Sequence, residues 1–218
     1  MPGTKSIDQR VDDWWDKHYG DVYLDDGTAP QDQEVMLEEE PPPVFITFGE
    51  GSDTLQQLAP QFDDPEVTRR SHNAYQGALR AWANYGDSFS QFGDEYDVDP
   101  YILASIAGLE SGGKPDAIGP TKDVGLMQMT ERTWGRIMPG RSLEDRLDPR
   151  LSIEAAAKLF NQDRDILKNE DLAVLAYNVG HNGVKAIIQG EKDFPGKSQY
   201  YWPVITLTHE RLTQELRE

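Results

Sequence analysis

A mainly α-helical domain preceded by an extended acidic arm is the architecture this 218-residue sequence predicts. Three observations carry it. From about Asp64 onward, apolar residues recur at helical spacing. Prolines, glycines and short polar residues stand where helices of that spacing start and stop. Ahead of Asp64 the chain changes character: residues 1–70 hold five Lys or Arg against seventeen Asp or Glu, whereas residues 71–218 hold sixteen against twenty-two. The expected division is an arm over residues 1–63 and a helical domain over 64–218.

Within the arm, "EEEPPPV" from Glu38 to Val44 runs an acidic cluster into three prolines, which favour extended backbone over helix. Low hydrophobicity and high charge describe a segment that cannot bury enough apolar surface to fold alone. Yet Trp14, Trp15, Tyr19, Tyr23, Phe45, Ile46 and Phe48 are residues of the kind that anchor interfaces. Two readings stay open: a solvating tail, or an arm that folds onto a partner.

The helical elements follow in order. "PEVTRRSHNAYQGALRAWANYG" places Val67, Ala74, Ala78, Leu79 and Trp82 on one side, and Gly86 is expected to end that helix. In "DSFSQFGDEYDVDP", Phe89, Phe92 and Tyr96 form a stripe read as core. Asp99 and Pro100 then give an N-cap and a first-turn proline for "YILASIAGLE", where Leu103, Ile106, Ala107 and Glu110 share a face. That spacing aims Glu110 along the buried stripe at the last turn, so its carboxyl should emerge where the core meets a cleft. Residues 117–129 lack a helical period. Gly119, Pro120 and Gly125 instead predict turns or a short hairpin that returns Gln128 over the end of the Glu110 helix. Further helices are expected in "SIEAAAKLFNQDRDIL", capped by Ser152, in "DLAVLAYN" ending at Asn178, in "NGVKAIIQ" from Asn182, and through "VITLTHERLTQELRE".

Composition excludes several function classes. A net charge of −18 and a pI near 4.5 argue against binding nucleic acid or anionic membrane surfaces, both of which need clustered Lys and Arg. There is no cysteine, and His18, His72, His181 and His209 are scattered without ligand spacing, so neither a metal site nor a cofactor is expected. No stretch reaches the roughly 20 apolar residues of a membrane span. The opening "MPGTKSIDQRVDDWWDKHYG" is polar and acidic where a secretory leader has a basic end and an apolar run. The expectation is a protein made in the cytoplasm without a signal peptide, needing another route to any extracellular target.

Four short motifs stand in a fixed order: "ES" at Glu110 and Ser111, "GLMQ" at Gly125 to Gln128, "AYN" at Ala176 to Asn178 followed by Gly180, and "YWP" at Tyr201 to Pro203. Across residues 96–205 this order resembles the soluble lytic transglycosylase family, relatives of goose-type lysozyme. The resemblance implies a lysozyme-like helical domain acting on peptidoglycan glycan strands. It puts the catalytic acid at Glu110 and substrate-binding residues at Ser111, Met127, Gln128, Tyr177, Asn178 and Tyr201. Taken singly, Gln128 reads as a turn residue, Asn178 as a helix end and Tyr177 as core; their ordered company with Glu110 is what separates them from those readings. The chemistry of the residues agrees. Splitting a glycosidic bond needs a carboxylic acid still protonated near neutral pH, which desolvation on an apolar stripe supplies, while amides and hydroxyls hold sugar groups without ionising it.

The sequence departs from the family pattern in two places. "MTERTW" follows "GLMQ" where the family usually has a proline, and "YW" stands for the common "YV". Asp123, two residues before Gly125, is either a turn aspartate or the second carboxylate of a hydrolase. The expected activity is lytic transglycosylation at the bond between N-acetylmuramic acid and N-acetylglucosamine, leaving 1,6-anhydro ends. Its alternatives are a hydrolytic muramidase, or a virion structural protein that keeps the fold without turnover. The expected lack of a signal peptide, the acidic aromatic arm and the small size suggest a bacteriophage virion-associated enzyme that opens the cell wall for genome entry. It would be attached to virion or tail proteins through residues 1–63 and act in the host periplasm or cell wall.

Overall fold

The computed structural model describes residues 52–217 apart from Pro195. Trp14 to Phe48, on which the interface reading of the arm rests, lie outside the described residues. The described chain forms α1 (Ser52–Leu58), α2 (Pro65–Tyr96), α3 (Pro100–Ser111), α4 (Glu131–Ile137), α5 (Pro149–Leu167), α6 (Glu170–Val179), α7 (His181–Ile188) and α8 (Tyr201–Arg217), with 3-10 turns at Leu143–Leu147 and Gly196–Tyr200. Among these residues β-structure is limited to two isolated antiparallel bridges, Ile118 to Val124 and Val124 to Met129, which is the short hairpin expected between Ala117 and Met129. No described helix is long and apolar enough to cross a membrane.

Local chemistry sets where the helices begin. Asp64 accepts hydrogen bonds from the Glu66 and Val67 N–H groups ahead of Pro65, and Asp99 accepts one from Tyr101 N–H ahead of Pro100. The stop expected at Gly86 does not occur. One residue, Tyr85, leaves helical geometry (φ −136°, ψ 17°), and α2 resumes to Tyr96. The Trp82 ring stacks on Phe89 at 6.2 Å, across that kink, and packs on Tyr101 at 4.7 Å, so aromatic packing carries α2 past the glycine. Ser152 is likewise not a cap. Asp148, followed by Pro149, caps α5, while Ser152 lies fully buried one turn in, its hydroxyl accepting the Met127 N–H at 3.3 Å. Helix α4, which the sequence reading did not anticipate, is capped by Thr130 and buries Trp134.

Two contacts decide where the last turn of α3 sits. The first is a glycine seam between α2 and α3: a Cβ built on Gly108 would lie 2.1 Å from the Ala74 carbonyl oxygen, and one on Gly77 would lie 2.7 Å from the Gly108 oxygen. Glycine costs a helix stability, and here it allows backbone to touch backbone. The second is α8, which packs on both α2 and α3 and starts at Tyr201. Ahead of α2, Leu55 of α1 is fully buried and Phe62 lies 5.3 Å from the Trp202 ring. The compact unit accordingly runs from Gly49, ahead of the boundary at residue 64 expected from the sequence.

Candidate active site

Glu110 ends the buried face of α3, and Tyr201 opens α8 directly against it. The Tyr201 hydroxyl donates to Glu110 Oε1 at 2.7 Å. Burial pushes the Glu110 carboxyl up from 4.5 to about 7; the Tyr201 hydrogen bond opposes that rise and the charge of Asp123 adds to it. Both phenols nearby are likewise held away from ionisation. Burial first, and then the Glu110 charge, raise Tyr177 and Tyr201 well above the usual tyrosine range, so each remains a hydrogen-bond donor. Tyr177 donates to the Met127 carbonyl oxygen at 2.9 Å.

A cavity of about 190 Å³ opens at this point, lined by Glu110, Tyr201 and Asn178 together with Arg70, Leu109, Lys197, Ser198, Tyr200 and Val204. Three of the residues expected from the sequence therefore meet at one cavity. Of the others, Gln128 holds together the loop between Ala117 and Met129. It adopts a positive φ of 47°, and its Nε2 donates to the Ala117 and Gly125 carbonyl oxygens at 3.0 and 2.8 Å. Its side-chain oxygen and Asp123 crowd the same point, since a Cβ on Gly119 would lie 2.6 Å from Gln128 Oε1 and 3.0 Å from Asp123 Oδ2. Asp123 is held by the Thr121 hydroxyl at 2.7 Å. Asp123 therefore has a local partner in its turn, and its charge also raises the Glu110 carboxyl.

Two expected residues support the site without lining its cavity. Ser111 is buried; its hydroxyl donates to the Ala107 oxygen at 2.9 Å and accepts the Lys114 N–H at 3.2 Å, which closes the end of α3 and leaves little for a ligand. The Met127 side chain is fully buried, and what it offers is backbone: its N–H to Ser152 and its carbonyl to Tyr177. Beneath the same loop lies the buried Arg146, whose Nη1 donates to the Met129 oxygen at 3.1 Å. Sequence reasoning also missed Arg70, Leu109, Lys197, Ser198, Tyr200 and Val204. Arg70 lies ahead of all four motifs, and the one available hint was the doublet Tyr200–Tyr201.

Chemically, a carboxyl near pKa 7 beside a fixed phenol donor can release a proton to an ether oxygen and take one back at the same pH. Among the described residues no group of three His, Asp or Glu side chains is placed to hold a metal ion. Comparison with known proteins follows the same line. The family model for the Transglycosylase SLT domain matches residues 87–200. Relatives include membrane-bound lytic murein transglycosylase F of Pasteurella multocida, 35% identical over 111 residues, 47% of this chain and 22% of the relative. Another is the transglycosylase of Enterobacteria phage PRD1, 30% identical over 125 residues, 56% of this chain and 42% of that one. The chain thus spans less than half the length of either relative. A solved structure of an inactive mutant of lytic transglycosylase Slt from Pseudomonas aeruginosa superposes with a TM-score of 0.54 at 18% identity, over 61% of this chain and 24% of that one. At that identity it speaks to the fold alone.

Proposed function

The chain belongs to the transglycosylase SLT family, and on that premise we propose that it cleaves the β-1,4 bond between N-acetylmuramic acid and N-acetylglucosamine in peptidoglycan by non-hydrolytic transglycosylation. The observation that carries this reading is the Glu110 carboxyl, held by Tyr201 at the edge of the cavity with a pKa of about 7. Protonated Glu110 gives its proton to the bridging oxygen as the bond to the muramoyl C1 breaks. Its carboxylate then takes the proton of the muramoyl 6-hydroxyl, whose oxygen bonds to C1. Proximity of that internal hydroxyl supplies much of the rate, and no second carboxylate is required. The Tyr201 donor steadies the carboxylate between the two steps, and Asn178 binds sugar amide or hydroxyl groups, a role that its share in the cavity lining supports.

A hydrolytic reading keeps one observation in its favour: Asp123 acts electrostatically on Glu110. Mass spectrometry of the products separates the two. Transglycosylation leaves 1,6-anhydromuramoyl ends lighter by one water than hydrolytic products; reducing muramic acid ends alone, with Asp123→Asn inactive, would establish the hydrolase. No soluble product from either would favour a structural protein. Delivery of the enzyme by a phage particle, with residues 1–63 bound to virion proteins, is supported by the PRD1 relative and by the aromatic residues of the arm. Detection of the protein in purified particles tests it.

A further inference from the structure

The cavity beside Glu110 carries more positive charge than the rest of the chain leads one to expect. In a protein of net charge −18, two of its lining residues are Arg70 and Lys197. Arg70 is pre-set: its Nε donates to Glu66 at 2.6 Å and its guanidinium lies over the Tyr200 ring at 5.1 Å. Among the described residues nothing accepts from its two Nη nitrogens, so the fork that suits a carboxylate is left for a ligand. Lys197 stands in the 3-10 turn that leads into Tyr201, exposed, and among the described residues it makes no ion pair. Arg70 and Lys197 share the lining of this cavity with Glu110. Two cations and the acid thus border one cavity, where a single substrate can meet all three.

We infer that Arg70 and Lys197 form a carboxylate-binding subsite that takes the acidic arm of the muramoyl residue. This rests on the peptidoglycan reading given above. The sugar rings of such a strand offer only hydroxyls and acetamides. Its negative charge sits on the lactyl group, either as the free lactyl carboxylate or as carboxylates of a peptide joined to it. Both present one chemistry to the same fork, and they place the anion to one side of the scissile bond. Recognition here fixes which sugar lies over Glu110, because only the muramoyl unit carries the arm.

The subsite is tested by binding, with Glu110→Gln as the background so that substrate persists. Dissociation constants are measured for peptide-free glycan, for peptide-bearing glycan, and for each after its carboxylates are converted to amides. Carboxylate-bearing strands should bind about tenfold tighter than amidated ones, and that advantage should shrink as salt rises. Lys197→Gln and Arg70→Gln should each remove a large part of it, and the pair together should bring the ratio near one. An advantage confined to peptide-free strands assigns the lactyl carboxylate; one confined to peptide-bearing strands assigns the peptide. Lys197 is exposed, so its variant should fold even if the Arg70 variant loses stability with its Glu66 and Tyr200 contacts. Equal affinity for native and amidated strands, or equal losses on both in the Lys197 variant, overturns the subsite. Failure of the peptidoglycan reading appears separately, as absence of cleavage by the unaltered chain.

Discussion

Glu110 holds a carboxyl where water would ionise it and the protein does not. Its folded value of about 7 lies above the ordinary 4.5, so the native state takes up a proton that the unfolded chain has lost between those values. The sign follows. The associated stability is complete below about pH 4.5 and is lost as pH rises through about 7, a change of about 3 kcal/mol at 1.36 kcal/mol per pKa unit. Glu110→Gln stays neutral throughout. Its stability relative to the parent should therefore grow from pH 4.5 to 7 and level off above, while glycan cleavage falls by several orders of magnitude; urea denaturation at a series of pH values reads the first and product release the second. A stability difference independent of pH would mean that the carboxyl is solvated. Glu110, Asn178 and Tyr201 were legible in the sequence, because helical spacing sets the acid on a buried face and motif order brings the others to it. The same motif order also named Ser111 and Met127, whose side chains are absent from the cavity lining. Motif order does not reveal that a hydroxyl is already used by the helix end, or that a side chain turns inward while its backbone serves the loop. Arg70 and Lys197 meet Glu110 only through tertiary packing, which no local pattern records.

Among the elements, α3 is positioned by what its glycine omits. Alanine favours helix over glycine by about 1 kcal/mol in an open position. At Gly108 that preference loses: the added Cβ would meet the Ala74 oxygen at 2.1 Å and the Ala78 nitrogen at 2.6 Å, both backbone atoms that cannot turn aside. Gly108→Ala should cost about 3 kcal/mol and lower the thermal midpoint by roughly 6–12 °C. Glycan cleavage should fall too, since Glu110 stands two residues further along the displaced helix. Gly135 is the internal control. It lies within α4 with nothing within 4 Å of its added Cβ, so Gly135→Ala should raise the midpoint by about 2–4 °C. Similar midpoints for the two variants would show that the seam is looser than its geometry. The starts of α2 and α3 could be read from Asp–Pro pairs because a cap and a first-turn proline act locally. The run-on of α2 past Gly86 and the true cap of α5 could not. In the first, Trp82 packing overrides a local preference, and in the second a serine with cap chemistry is used by a distant backbone N–H.

At the scale of the whole molecule, the division of the chain has physical consequences. Residues 1–48 hold three Lys or Arg and twelve Asp or Glu, half of the net charge of −18, while the compact helical unit runs from Gly49. Composition alone drew the boundary at residue 64, because the polar stretch from Gly49 to Asp63 contains few apolar residues. Those few are well used. Leu55 is fully buried, α1 packs against α6, and Phe62 covers Trp202, whose indole nitrogen donates to Asp171 at 3.0 Å immediately beside Tyr201. Two truncated chains distinguish the boundaries. One that begins at Gly49 should keep the thermal midpoint of the full chain and its glycan cleavage, having lost charge but no described packing. One that begins at Asp64 gives up the burial of Leu55, about 1.5–3 kcal/mol, and the ring contact over Trp202. Its midpoint should fall by roughly 5–10 °C, and its activity should drop more steeply on warming, since the start of α8 carries the phenol that holds Glu110. Equal midpoints for the two chains would restore the boundary at residue 64 and make α1 a passive attachment to the unit.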